Sequence, residues 1–284
     1  MWSIFRNEYG AYRVKILRFC LAAAVAVLGA GAAQANSPEL PLACTIIADV
    51  ASGEVMVREG TCDQRFSPMS SFKLPLAVMG FDSGILKGPN DPVWQLKAEH
   101  GASKREQAFP QVDPTVWEHQ SIVWYSQDLT RKLGDARFGE YVSKFNYGNG
   151  DVSGDAGQTN GLTRSWLMSS LRISPDEQVQ FLRGFVTGSL PVSEQAIALT
   201  REIIPGFSGS DGWAVQGKTG SGWLKDGSGK IDRSKPLGWF VGWAEKNGRS
   251  VVFARLIVEA EASDTYASVK ARTYLLEQIG PLLK

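Results

Sequence analysis

Histidine is nearly absent from this chain, with only His100 and His119 in 284 residues, and cysteine is scarce at three. Two histidines without ligand-like spacing offer no set of side chains for a zinc site, so no metal is expected. A hydrolase built on Ser-His-Asp would have to use one of them, and neither sits in a motif. Charge of one sign is also missing, since 30 Lys and Arg stand against 29 Asp and Glu. Without a basic patch, nucleic acid is not an expected partner. There is no internal repeat and no low-complexity tract, and beyond residue 35 no apolar run is long enough to span a membrane.

The N-terminus is different in kind. Arg6, Arg13, Lys15 and Arg18 precede an uncharged stretch from Phe19 to Ala35 that ends Ala33-Gln34-Ala35. This is the pattern of a secretory signal peptide, with cleavage expected between Ala35 and Asn36. A permanent anchor is the alternative, but the apolar core is short and closes on small residues. Cys20 lies at the start of the stretch, which argues against lipid attachment. The expectation is therefore a signal peptide over 1–35, a periplasmic protein over 36–284, and no membrane association after cleavage. Its 249 residues suit one sizeable domain, and its formal charge is −2. Cys44 and Cys62 flank two β-rich runs around a turn at Ala51-Ser52-Gly53, so they can meet across a hairpin. In an exported protein this points to one disulfide, with two buried thiols as the other reading.

The chemistry-bearing stretch is Ser67 to Met79. Pro68 precedes a helical run opened by Ser70, and Lys73 stands one turn deeper on the same face. Phe72, Leu74, Leu76, Val78 and Met79 leave that helix little polar surface. A hydroxyl beside an amine in apolar surroundings describes a nucleophile and a base, because burial disfavours the ammonium form. An N-cap serine and a solvated lysine would give the same tetrapeptide.

Residues 82–116 are loop-rich, with Trp94 as a local packing point. Helical periodicity runs from Val116 to Leu133 and encloses Ser121-Ile122-Val123, where a serine can simply bond back to its own helix. Tyr147-Gly148-Asn149 reads as a turn, and Ser165-Trp166-Leu167-Met168 as a restarted helix. A capping box with proline, Ser174-Pro175-Asp176-Glu177, launches the next helix, and Pro191 to Glu194 another. From Trp213 the period becomes that of strands. One ends at Lys218-Thr219-Gly220 before a Gly-rich loop to Gly229, and two more are joined by Asn247-Gly248. A helix over Val269–Leu283 closes the chain. Strands at both ends with helices between predict an α+β fold of layered α/β/α type. Its mostly antiparallel sheet comes from N- and C-terminal segments flanked by helices, with a helical insertion over about 82–205.

In order, then, the chain carries S-x-x-K at Ser70, S-x-V at Ser121, Y-G-N at Tyr147, a tryptophan at Trp166 and K-T-G at Lys218. Four such motifs on the right elements resemble the class D (oxacillinase-type) serine β-lactamases, over nearly the whole chain after the signal. The resemblance implies Ser70 as acylated nucleophile and Ser121 as the proton carrier between Lys73 and Lys218. It implies Lys218 and Thr219 as ligands of the substrate carboxylate, and the backbone N–H groups of Ser70 and Ser221, past Gly220, as the oxyanion hole. It also implies that Lys73 carries a carbamate formed with CO2, in a pocket walled by Phe72, Val123, Trp166 and Leu167. The Trp166 indole N–H would hold that group. Tyr147 and Asn149 would shape the pocket. No other cofactor is implied, the partners are β-lactam antibiotics, and the chain is a monomer or homodimer. The chain departs from the family at the place of its carboxylate-binding arginine, which falls near Ser268 with Lys270 and Arg272 close by, so Ser268 is expected to join Lys218 and Thr219 in binding the carboxylate. A penicillin-binding D,D-transpeptidase or carboxypeptidase, and a β-lactam sensor domain, are the competing readings.

Overall fold

Alternation of side chains along the strands decides the architecture. In the computed structural model, residues 42–284 are described, and the signal peptide expected over 1–35 lies outside them. Strands β1 (Leu42–Asp49) and β2 (Val55–Gly60) form the expected hairpin, with Cys44 opposite Gly60. Just past β2, Cys62 closes a disulfide to Cys44. The bridge spans 18 residues, and closing such a loop restricts the unfolded chain by about 3 kcal/mol. Reduction and alkylation are therefore expected to lower unfolding stability by roughly that amount, read as a drop in the chemical-denaturation midpoint at constant m value. Equal midpoints for oxidised and reduced protein would show that the bridge carries no stability.

A 3₁₀ turn at Met69–Phe72 runs into α1 (Lys73–Asp82). Every residue of α1 from Lys73 to Phe81 is buried, as expected for a helix apolar all round. Pro75 falls in its first turn, where a missing N–H costs nothing. The loop-rich segment then makes a two-stranded ribbon, β3 (Trp94–Gln95) with β4 (Gln111–Val112), and Trp94 stacks at 4.2 Å on Tyr125.

The single helix expected around Ser121 is two. Helix α2 (Pro114–Gln120) ends with Ser121 in the left-handed conformation at φ 54°, and α3 (Val123–Lys144) begins two residues on. The back-bonding serine of this region is Ser126, whose hydroxyl donates to Ile122 O at 3.3 Å. Helix α4 (Gly161–Arg164) also lies earlier than expected, and Ser165 to Met168 is turn, not restarted helix. Helix α5 (Pro175–Thr187) starts on the Ser174–Glu177 capping box, and α6 (Glu194–Ile203) on Ser193.

A short strand, β5 (Gly206–Ser208), precedes β6 (Ala214–Lys225), β7 (Ile231–Lys246) and β8 (Arg249–Val258), and α7 (Ala267–Leu282) ends the chain. The sheet is antiparallel throughout, in the order β2-β1-β8-β7-β6-β5. On β7, Trp239, Val241 and Trp243 pack into the core shared with the helices between β2 and β5, while Phe240 and Ala244 pack with Ala271, Leu275 and Ile279 of α7. Period-2 alternation with both faces buried is what three layers require. The Gly-rich segment after Lys218 is not a loop: β6 continues through Gly220 and Gly222 to Lys225. A Cβ at Gly220 would lie 2.6 Å from Pro68 O and 2.9 Å from Ser71 N, so glycine is what lets β6 pass against the Ser70 segment.

Candidate active site

Ser70 sits half-buried on the 3₁₀ turn, just after Met69, which is held at φ 55°. Backbone strain of this kind beside a nucleophile persists only where the surroundings over-determine it. Here they do, because Met69 N–H donates to Trp166 O at 3.0 Å and Gly220 and Gly222 crowd it from β6. The two adjacent serines differ in their partners. Ser71 Oγ donates to Pro68 O at 2.7 Å and accepts from Gln178 at 3.3 Å, whereas Ser70 Oγ accepts from Lys73 Nζ at 3.2 Å.

Lys73 is fully buried. Burial, and after it the nearby Lys218 cation, pull its ammonium pKa down to about 7, so a large fraction is free amine near neutrality. Behind it stands an aromatic wall. Phe72 stacks on Trp166 at 5.6 Å and meets Tyr147 and Phe138 edge-on. Trp166 arrives from a distant stretch because Ser67 Oγ donates to Trp166 O at 2.7 Å and accepts from Met168 N at 2.9 Å. The Trp166 ring is buried, and its N–H has no hydrogen-bond partner among the described residues. A buried indole N–H usually finds an acceptor.

Lys218 on β6 donates to Ser121 Oγ at 3.0 Å. Burial lowers its pKa to about 8 against the opposing pull of Glu118. The turn carrying Ser121 is clasped by neighbours from one 3₁₀ turn: Arg105 donates to Gln120 O at 2.6 Å, and the Glu106 carboxylate accepts the Val123 N–H. Ser70–Lys73 and Ser121–Lys218 are thus two hydroxyl–amine pairs, near enough that the Lys218 charge acts on Lys73. Such an arrangement can take a proton from Ser70 and deliver one to a leaving group. Thr219 is half-buried on β6.

Ser221 Oγ lies 2.5 Å from Ser268 Oγ, and Ser268 itself is buried behind it. Lys270 is paired with Glu259, and the Arg272 guanidinium lies over the Phe207 ring at 5.1 Å. Beside Ser221 opens a cavity of about 270 Å³, walled by Trp223, Leu237 and Tyr266, with Arg233 at 4.9 Å over Trp223. The Tyr147-Gly148-Asn149 turn is stitched to the 170–172 segment, Asn149 donating to Ser170 O and accepting from Arg172 N, both at 2.9 Å. His100 donates to Asp128 at 3.1 Å and stacks on Trp124, and His119 is exposed on α2. Among the described residues there is no cluster able to hold a metal ion.

Several site residues carry no signal in the sequence. Arg105, Glu106 and Glu118 look like solvated helix or loop charges, and Trp223 and Tyr266 belong to no motif. Glu118 is fully buried three residues before Ser121, and burial raises its carboxyl pKa to about 7.

Residues 33–279 match the penicillin binding protein transpeptidase domain family. Beta-lactamase OXA-9 of Klebsiella pneumoniae is 57% identical over 242 residues, which cover 85% of this chain and 88% of that protein. Beta-lactamase OXA-1 of Escherichia coli is 34% identical over 232 residues, or 81% of this chain and 80% of that one. The crystal structure of OXA-427 class D beta-lactamase superposes with a TM-score of 0.77 at 41% identity, covering 84% of this chain and 99% of that one. With its serine–lysine pairs on a shared layered frame, the chain belongs to the class D β-lactamases, serine hydrolases of the penicillin-binding transpeptidase superfamily.

Proposed function

We propose that the protein opens the β-lactam amide through an acyl-enzyme on Ser70, with Lys73 in carbamylated form as general base. The observation that carries this reading is the 3.2 Å contact between Ser70 Oγ and the Nζ of a fully buried lysine. The Lys73 side chain removes the Ser70 proton, and Oγ bonds to the lactam carbonyl carbon while the C–N bond breaks. Ser121, held by Lys218, hands a proton to the departing nitrogen. The N–H groups of Ser70 and Ser221 face the oxyanion. Lys218 and Thr219 receive the substrate carboxylate, and Ser268 acts in that task through Ser221. The cavity beside Ser221 accepts the substrate side chain.

The residues present fit a carbamate on Lys73. A neutral amine is available, Val123 stands where an amide side chain would keep water close, and the unpartnered Trp166 N–H is a donor in need of an acceptor. When present, the carbamate supplies a carboxylate-type base in place of an amine. Export through residues 1–35 to the periplasm, where the Cys44–Cys62 bridge is chemically at home, would place the enzyme on the path of incoming antibiotic and confer resistance. Among the described residues no helix is long and apolar enough to cross a membrane.

Steady-state hydrolysis of penicillins, oxacillin, cephalosporins and carbapenems, followed by intact-mass analysis, tests the reading. Turnover with a transient adduct is expected. A protein that stays acylated without turnover would be a penicillin-binding transpeptidase or a sensor. A second test uses the close approach at Gly220. Gly220→Ala should push β6 off the Ser70 segment and lower kcat/KM about 100-fold, the effect of a reacting group misplaced by about 1 Å. Unchanged kinetics would show that this contact does not set the site.

A further inference from the structure

Ser121 meets Lys218 from a backbone conformation that serine seldom adopts, with φ 54° and ψ 44°. Its immediate neighbours give little reason for that shape. Ser121 closes α2, and Ile122, the N-cap of α3, has no side-chain oxygen to offer the unpaired N–H groups of the helix it opens. No acid stands in the first turn of α3 either.

What the junction lacks is supplied by one dipeptide, Arg105-Glu106. At the C-terminal end of α2, Arg105 donates from one nitrogen to Gln120 O at 2.6 Å and from another to Ser121 O at 3.4 Å. At the N-terminal end of α3, Glu106 accepts the Val123 N–H. A cation thus meets the carbonyl end of one helix and an anion the N–H end of the next, the favourable sense at each. Glu106 is 5% exposed, and its second oxygen accepts from Ser103 N at 3.1 Å and from Ser103 Oγ at 2.9 Å. Three donors therefore converge on one buried carboxylate, whereas an amide in its place could accept at one end only.

We propose that Glu106 is a positioning residue for proton transfer to the leaving nitrogen: with Arg105 it caps the α2–α3 junction and fixes Ser121 in the left-handed conformation from which its hydroxyl meets Lys218. This rests on the reading of Ser121 above as the proton donor. Strain of this kind persists only where the surroundings over-determine it. Released from the clasp, Ser121 falls back toward the right-handed region that residues with a Cβ prefer, and its Oγ swings away from Lys218.

The test is the rate at which benzylpenicillin forms its acyl adduct, read by rapid-quench intact mass across pH, with folding checked by circular dichroism. The proteins are the parent, Glu106→Gln, Arg105→Ala, Ser121→Ala and the double variants with Ser121→Ala. Ser121→Ala should slow acylation about 10²- to 10⁴-fold, the usual contribution of a general acid. Glu106→Gln should slow it about 10- to 100-fold by misplacing the hydroxyl. In the Ser121→Ala background the same change should have no further effect, because no hydroxyl remains to be placed. An equal loss in both backgrounds would mean that Glu106 supports the pocket at large, and overturns the proposal. Arg105→Ala removes only an exposed side chain and should act in the same sense, so its cycle with Ser121→Ala decides the matter if Glu106→Gln does not fold. Acylation at the parental rate in Arg105→Ala also overturns the proposal. The Glu106 charge favours the Lys73 ammonium and that of Arg105 opposes it. If charge alone mattered, Glu106→Gln would move the acid limb of the profile to lower pH at an unchanged plateau, and that result overturns the proposal, which expects a lower plateau. A Ser121→Ala variant that acylates at the parental rate removes the proton-donor reading, and this inference with it.

Discussion

Ser70→Ala is expected to abolish both acylation and turnover while the protein stays folded. The hydroxyl removed is half-buried and accepts from Lys73, while the neighbouring Ser71 is committed to Pro68 and Gln178 and cannot replace it. Loss of a covalent nucleophile typically costs on the order of 10⁴- to 10⁶-fold in kcat/KM, or about 5–8 kcal/mol of transition-state stabilisation. Stability should change by no more than about 1 kcal/mol, because one hydrogen bond is lost and no cavity of consequence opens. Intact mass after incubation with benzylpenicillin reads the first effect, and chemical denaturation reads the second. A covalent penicilloyl adduct on the variant would move the nucleophile elsewhere.

How far this site can be read from sequence depends on whether its residues act locally. The Ser70–Lys73 pair needs one helical turn and an apolar helix, and both are visible in a dozen letters. The hairpins at Ala51-Ser52-Gly53 and Asn247-Gly248 are equally local, and their strands pair as the alternation demands. Ser121 is harder to place. The left-handed conformation there is adopted by a serine, without the glycine or asparagine that would signal a break, and it depends on Arg105 and Glu106 clasping the turn. The glycines of β6 mislead for the opposite reason. They carry the composition of a loop, yet they stand in a strand because a backbone must pass within contact of Pro68 and Met69. Trp166 is placed by Ser67, about a hundred residues earlier, through bonds that no local pattern encodes. Glu118 looks like any helix-surface acid until the packing around α2 closes over it.

Activity is expected to depend on CO2 and to fall as the medium becomes acidic. Burial and the Lys218 charge lower the Lys73 pKa from its ordinary value near 10.5 to about 7. The sign follows from that direction. Above this value the amine is free and can add CO2, and below it the ammonium prevails and the carbamate reverts. In degassed buffer kcat should therefore decline between about pH 7 and 5 and recover on adding bicarbonate. Lys73→Ala removes the base and should lower kcat by about 10² to 10⁴, the usual contribution of general-base catalysis, with no rescue by bicarbonate. Trp166→Ala should act on retention of the modification: it removes a buried N–H that has no other acceptor among the described residues, so half-maximal activity should need more bicarbonate than in the parent. Cavity formation at a buried indole also costs about 3–5 kcal/mol of stability, so this comparison is made at a temperature where the variant is folded by circular dichroism. Bicarbonate titrations of kcat from pH 5 to 8 on the three proteins separate the cases. If the parent rate in degassed buffer is indifferent to bicarbonate and Trp166→Ala behaves like the parent, Lys73 works as an unmodified amine, with Ser121 and Lys218 moving the remaining protons.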